Sequence, residues 1–237
     1  MSSAYGAIIR SNSDTSKLDA LLPMFHTLKD GTASTLYHLT SNPEGILLPG
    51  KTLLAEKFPC LVGYLHELFN EEIIEGNTYP QEECLDIQGF MNYFLGYDCF
   101  IEILAEEDEG VGLCEQEEDL VDWKKKVLGM FYVKPNFPGR CSHICNGGFF
   151  VNPVSRNKGV GSVMAKSFLK VAPALGYQAS MFNLVFVNNI ASIKLWRTLG
   201  FQEIGRIPKA GRLRGNPDEL VDAIMFYYDF TKLSEIE

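Results

Sequence analysis

Arg156-Asn157-Lys158-Gly159-Val160-Gly161 follows the apolar run Gly148-Phe149-Phe150-Val151 and opens an amphipathic segment. A strand, a glycine loop and a helix start in direct succession make a cradle for a pyrophosphate. Gly159 and Gly161 let the backbone turn tightly and come close to a ligand. The N–H groups of a first helical turn, around Asn157, Lys158, Gly159, Val160 and Gly161, lack intrahelical acceptors and lie at the positive end of the helix dipole. Arg156 and Lys158 add charge at the mouth. A bare helix start with basic residues would read the same way, so the surrounding elements decide.

Residues 160–175 carry Val160, Val163, Met164, Phe168 and Val171 at the three-and-four spacing of one buried helical face. Gly176 ends that helix, with Pro173 in its last turn. Residues 181–187, Met-Phe-Asn-Leu-Val-Phe-Val, read as a strand buried on both faces and broken by one amide, Asn183. Asn188 or Asn189 caps a second helix bearing Ala191, Leu195 and Leu199, with Ile193 and Trp196 beside them, and Gly200 closes it. A dinucleotide site would need Gly-x-Gly-x-x-Gly and an acid at the end of the next strand, and neither is present.

The loop resembles the [Gln/Arg]-x-x-Gly-x-[Gly/Ala] signature of the GCN5-related N-acetyltransferases. Asn189, Ala191, Ser192 and Leu199-Gly200-Phe201 resemble that superfamily's second signature. A narrower likeness, to the fungal L-azetidine-2-carboxylic acid N-acetyltransferases, rests on several stretches. These are Thr78-Tyr79-Pro80-Gln81, Gly89-Phe90-Met91-Asn92-Tyr93, Lys134-Pro135-Asn136, residues 140–146, residues 182–187 and Val221-Asp222-Ala223-Ile224. The resemblance implies a mixed α/β (α+β) fold, with a twisted central mixed sheet whose middle strands splay apart between flanking helices. It also implies acetyl-CoA as co-substrate.

Acetyl transfer to an amine needs a diphosphate cradle, a polarised thioester carbonyl, a neutral amine and relief for the departing thiolate. In the resembling superfamily, backbone N–H groups on the first splayed strand hold the thioester oxygen, which here points to Val151. An amine of pKa about 10 is roughly one part in a thousand neutral at pH 7, a cost of about 4 kcal/mol if nothing takes the proton. Many relatives place a Glu on the first strand, where this chain has Phe149 and Phe150. A water relay, or selection of the neutral amine, is therefore expected. The Tyr that protonates sulfur in many relatives is replaced by Trp196, which has no usable acidic proton. The azetidine-carboxylate likeness carries a catalytic and substrate-binding role onto Asn146 and Asn183, with Phe149 as an apolar wall. Without it, Asn183 reads as a core amide bonded to neighbouring backbone.

At 237 residues and 46% hydrophobic content, the chain can bury one large core. It divides into an N-terminal extension, residues 1–55, and a catalytic domain, residues 56–237, with a linker near Pro43, Gly45, Pro49 and Gly50. Residues 60–75 and 84–94 read as acceptor-side helices, and Tyr79, Phe90 and Tyr93 are either core or pocket. A net charge of −9 without a basic patch argues against nucleic acid. No apolar run is long enough for a membrane helix and no signal peptide is recognisable, so a cytoplasmic protein is expected, with mitochondrial residence open. The acidic residues between Glu102 and Asp119 read as a solvated loop between strands at 100–104 and 127–133. The six cysteines read as free thiols, and Cys141-Ser142-His143-Ile144-Cys145 lacks the further ligands of a metal site. The expected partner is a small amine or imino acid, and a homodimer is left open. Two rivals stand beside an imino-acid acetyltransferase: an enzyme for polyamines or proteins, and a non-catalytic acetyl-CoA-binding module.

Overall fold

Val127–Pro135 is buried at every position in the computed structural model. Leu128, Phe131 and Val133 enter one hydrophobic core, and Val127, Met130 and Tyr132 enter another. A strand covered on both faces must be apolar on both, and this one lies near the middle of the sheet. The structure describes residues 12–42, 45–105 and 118–235, without the side chains of 12–14 and 233–235.

The strands are β1 (Met24–Thr27), β2 (Ala33–Thr40), β3 (Thr52–Leu54), β4 (Asp98–Leu104), β5 (Val127–Pro135), β6 (Ile144–Val151), β7 (Ala179–Phe186), β8 (Gln202–Gly211) and β9 (Val221–Asp229). They form one sheet in the order β1-β2-β4-β5-β6-β7-β9-β8, with β3 beside β2. Neighbours are antiparallel except β2 with β3 and β6 with β7. Helices α1 (Asn12–Leu21), α5 (Val160–Ala174) and α6 (Ile190–Thr198) cover one face. Helices α2 (Pro59–Glu75), α3 (Ile87–Phe90) and α4 (Trp123–Lys126) cover the other. This is the expected mixed architecture. Among the described residues no helix is long and apolar enough to cross a membrane.

Local chemistry explains the helices that frame the site. α2 begins with Pro59 in its first turn and ends at Gly76, whose φ of 68° is the left-handed conformation that glycine adopts without strain. Leu61, Leu65, Leu68 and Phe69 face the core. Asn189 caps α6, its side-chain oxygen accepting from the Ser192 N–H at 3.1 Å.

The sheet includes strands on both sides of residue 55: β1, β2 and β3 lie before it, and β2 pairs with β4 along Ser34↔Leu104 to Leu39↔Cys99. Several expectations need correction. The expected helix over 84–94 starts later: Asp86 caps Ile87, accepting from the Gly89 N–H, and a π-turn carries the chain through Met91–Leu95. β7 is not buried on both faces, since Leu184 is 40% exposed. The continuous burial belongs to β5. The acidic stretch at 106–117 lies outside the described residues, but Glu118 is not simply solvated: its carboxylate accepts from the Leu61 N–H at 2.7 Å and caps α2. The described cysteines, Cys60, Cys84, Cys99, Cys141 and Cys145, are free thiols.

Candidate active site between the parting strands

β6 and β7 pair only through Ile144↔Ala179 and Cys145↔Ser180. Beyond that point β6 follows β5 to Gly129↔Val151, while β7 follows β9 to Phe186↔Ala223. The two strands part and leave a wedge between them. Polar groups of successive strand residues point to alternate edges. Asn152 donates its N–H to Leu128 O, toward β5, so the Val151 N–H faces the opened edge. The Phe149 carbonyl faces the same edge, because it accepts from the Tyr79 hydroxyl at 3.1 Å. The wedge is thus lined by β6 backbone groups without a β7 partner, which can hold a carbonyl oxygen.

α5 starts directly below. Gly159 is its N-cap at φ 93°, with no side-chain cap and no acid in the first turn. Ser162 and Val163 both donate to Gly159 O, so the N–H groups ahead of them are the ones left to a ligand. Asn157 is also left-handed, at φ 67°. Lys158 O accepts from the Lys29 N–H at 3.0 Å, docking the β1–β2 turn against the loop. A Cβ on Gly161 would meet nothing nearer than Val151 at 3.7 Å, so this side of the loop is open. A bare helix start with an open glycine face fits a diphosphate, and the residues that would hold it there are those from Asn157 to Gly161. Arg156, expected at the mouth of the loop, is ion-paired. Its guanidinium is 2.8 Å from a Glu72 carboxylate oxygen, tying the loop to α2.

The wedge opens into a cavity of about 280 Å³ lined by Asn146, Asn183, Phe149, Asn189 and Trp196 among others. A shift in the β7–β9 register between Phe182 and Val185 marks a bulge at Asn183, which re-aims the residues there. The Asn183 amide is not satisfied by neighbouring backbone. It forms a reciprocal pair with the Asn136 side chain: Asn136 Nδ2 donates at 2.9 Å and Asn183 Nδ2 donates back at 2.6 Å. Phe149 stacks on Phe131 at 5.1 Å and meets Trp196 at 5.0 Å, so one wall of the cavity is aromatic. Tyr79 and Tyr93 line the cavity, whereas Phe90 is fully buried core.

Two residues at the site carried no role in the sequence reading. One is Asn136, 7% exposed, whose pairing with Asn183 spans 47 positions. The other is Lys134, which lines the cavity although only 3% of it is exposed. Its ammonium sits 4.2 Å from the Tyr93 ring centre and 4.3 Å from that of Tyr132. Burial pushes it down to about 8. The signal that could have found it is a lysine placed directly after the apolar run of residues 127–133, before Pro135. Among the described residues, no Asp, Glu or His lines the cavity.

The profile of the Acetyltransferase (GNAT) family matches residues 81–201. The chain is 42% identical to the N-acetyltransferase aca1 of Schizosaccharomyces pombe over 175 residues, 74% of this chain and 83% of that protein. In fold it is similar to a GCN5-related N-acetyltransferase from Kribbella flavida, with a TM-score of 0.58 at 21% identity, covering 82% of this chain and 97% of that one. It is also similar to a phosphinothricin acetyltransferase from Sinorhizobium meliloti solved in complex with acetyl-CoA, with a TM-score of 0.56 at 18% identity, covering 72% and 83%.

Proposed function

The chain belongs to the acetyltransferase (GNAT) family and is an acetyl-CoA-dependent N-acetyltransferase, and on that premise we propose that its acceptor is a small imino acid, L-azetidine-2-carboxylate or a proline relative. Such an activity would serve detoxification of a proline analogue or proline-linked metabolism. One observation carries the reading: the cavity beside the open edge of β6 is small, is faced by Asn146 and Asn183, and has no carboxylate among its described lining residues.

A polyamine or a lysine side chain arrives as a cation and calls for acidic groups, which the lining lacks. A small ring with a secondary amine fits a cavity of about 280 Å³ bounded by Phe149 and Trp196. Asn183, fixed by Asn136, presents an amide of constant orientation to a polar group on that ring. Coenzyme A supplies the acetyl thioester, and the residues of this chain bind and orient the partners. Val151 offers a backbone N–H, Asn146 and Asn183 offer amides, and the aromatic wall excludes water. With no carboxylate or imidazole among the described lining residues, the rate should follow the neutral fraction of the amine.

The test is thiol release from acetyl-CoA with L-azetidine-2-carboxylate, L-proline derivatives, spermidine and a lysine peptide offered separately. Turnover that is fastest with the small imino acids supports the reading. Spermidine or the peptide as the best acceptor rejects it, and binding of acetyl-CoA without thiol release for any amine would mark a non-catalytic module.

A further inference from the structure

We propose that Glu72 is a positioning residue of the transfer reaction: its buried carboxylate joins the loop that opens α5 to the wall of the acceptor cavity, so that filling either site tightens the other. The inference rests on the loop being the diphosphate cradle and the cavity the acceptor site, as read above, and adds the residue that couples them.

Glu72 lies in the last turn of α2 and is 7% exposed. A buried carboxylate is costly unless its oxygens are bonded, and here both are. Oε2 accepts from Arg156 Nη2 at 2.8 Å, and Oε1 accepts from the Thr78 hydroxyl. Bonds to a charged acceptor are the strong ones. The other contact of Arg156, 3.9 Å to the half-exposed Glu75, is long and adds little. On the loop side, Arg156 directly precedes Asn157 at φ 67°, and Gly159 at φ 93° caps α5. Those dihedrals aim the free N–H groups of the loop, so a restraint on Arg156 is a restraint on the cradle. On the cavity side, α2 stops at Gly76 and the chain folds back, bringing Thr78 to the end of the helix it has just left. Thr78, Tyr79 and Pro80 line the cavity, and the Tyr79 hydroxyl reaches the Phe149 carbonyl on the opened edge of β6. Asn77 ties the same turn to two further walls: its Oδ1 accepts from the Gly215 N–H at 2.8 Å, and its carbonyl accepts from Asn188 Nδ2 at 3.2 Å. Neither Glu72 nor Arg156 lines the cavity, so whatever the loop does reaches the acceptor through Thr78 and Tyr79. A coupling of this kind is reciprocal.

The experiment cuts each arm of the bridge and reads the site that arm does not touch. Thr78→Val keeps the shape and removes the hydroxyl, with Thr78→Ala in its place if that variant does not fold. Calorimetry follows the nucleotide diphosphate half of coenzyme A, made without the pantetheine arm that would enter the cavity. Its affinity should fall about fivefold, and Thr78→Ser, which restores the hydroxyl, should bind it as wild type does. Arg156→Met is read by steady-state kinetics on the best acceptor of the panel above. Its kcat/KM should fall about tenfold, mostly through KM, and Arg156→Lys, which keeps the charge, should lose less. In the double variant Arg156→Met/Thr78→Val the combined loss should be smaller than the product of the two. Wild-type nucleotide affinity in Thr78→Val, equal losses in Thr78→Val and Thr78→Ser, or wild-type acceptor kinetics in Arg156→Met overturns the bridge. So does a lowered Tm with both sites at full strength, which marks Glu72 as a stability contact alone. The nucleotide measurement uses no acceptor, so a preference for spermidine or the lysine peptide rejects the imino-acid reading while the bridge is still judged on Thr78→Val. A wild type that does not bind the nucleotide half, or that releases thiol with no acceptor, overturns the bridge and the reading together.

Discussion

Asn136→Ala removes the partner of the Asn183 amide and nothing else that touches the cavity directly. Two hydrogen bonds disappear, at 2.9 and 2.6 Å, from a residue only 7% exposed. Each is worth about 1 kcal/mol net, and a fully buried amide left unpaired costs about 1 to 3 kcal/mol. Asn183 is half-buried at the cavity wall, so water can meet part of its need, and a loss of about 1 to 2 kcal/mol of stability is expected. For a chain of this size that lowers Tm by about 2 to 8 °C. The larger consequence is orientational. With its amide released, Asn183 samples other rotamers, and kcat/KM for the acceptor should fall about 10- to 30-fold, the equivalent of about 1.4 to 2 kcal/mol. Acetyl-CoA affinity should stay within about twofold, since the loop at the start of α5 is untouched. Steady-state kinetics on the single variants and on Asn136→Ala/Asn183→Ala complete the cycle: the double variant should be no worse than Asn183→Ala alone. Additive losses, or wild-type acceptor kinetics in Asn136→Ala, would refute the dependence of Asn183 on Asn136.

Three other outcomes are expected. Gly159→Ala forces a Cβ at φ 93° and to within 3.3 Å of Lys29, so calorimetry should show acetyl-CoA binding weakened about tenfold for a strain of about 1 to 2 kcal/mol, and unchanged affinity would remove Gly159 from the cradle. The folded Lys134 titrates near 8, below its unfolded value, so between pH 8 and about 10.5 the unfolded chain binds more protons and stability rises with pH. Urea melts should show wild type gaining up to about 3 kcal/mol relative to Lys134→Met across that window, and parallel curves would contradict the burial of the charge. Glu118 first, then Asp119, raise the Cys60 thiol to about 11 although it is exposed. Alkylation of Cys60 at pH 8 should therefore be about a hundredfold slower than for an ordinary thiol, and Glu118→Gln/Asp119→Asn should restore it.

Much of the scaffold was legible because its causes are local. The three-and-four spacing of α5, the asparagine cap of α6 at Asn188 or Asn189, and the glycine loop at Gly159 are each written within a few residues, where dihedral preference and side-chain period act directly. β7 was misread because burial on both faces is a property of neighbours. Its run of apolar letters borders a wedge that no local pattern announces, and Leu184 ends up 40% exposed. Likewise the segment before residue 56 was read only as an extension, yet β1 to β3 extend the sheet, because β2 pairs with β4 and β1 and β3 pair with β2, partners distant in sequence or set by the fold.

The amino-acid order by itself determined the family, the glycine loop that opens α5 and which amides stand near the strands, since these rest on short contiguous motifs. Tertiary structure alone decided that Arg156 turns to Glu72, that Asn136 holds Asn183 and that Lys134 lies buried over two tyrosine rings. Apart from Lys134 with Tyr132, those contacts join residues tens of positions apart. They exist because the sheet register brings β5, β6 and β7 side by side and then lets the last two diverge.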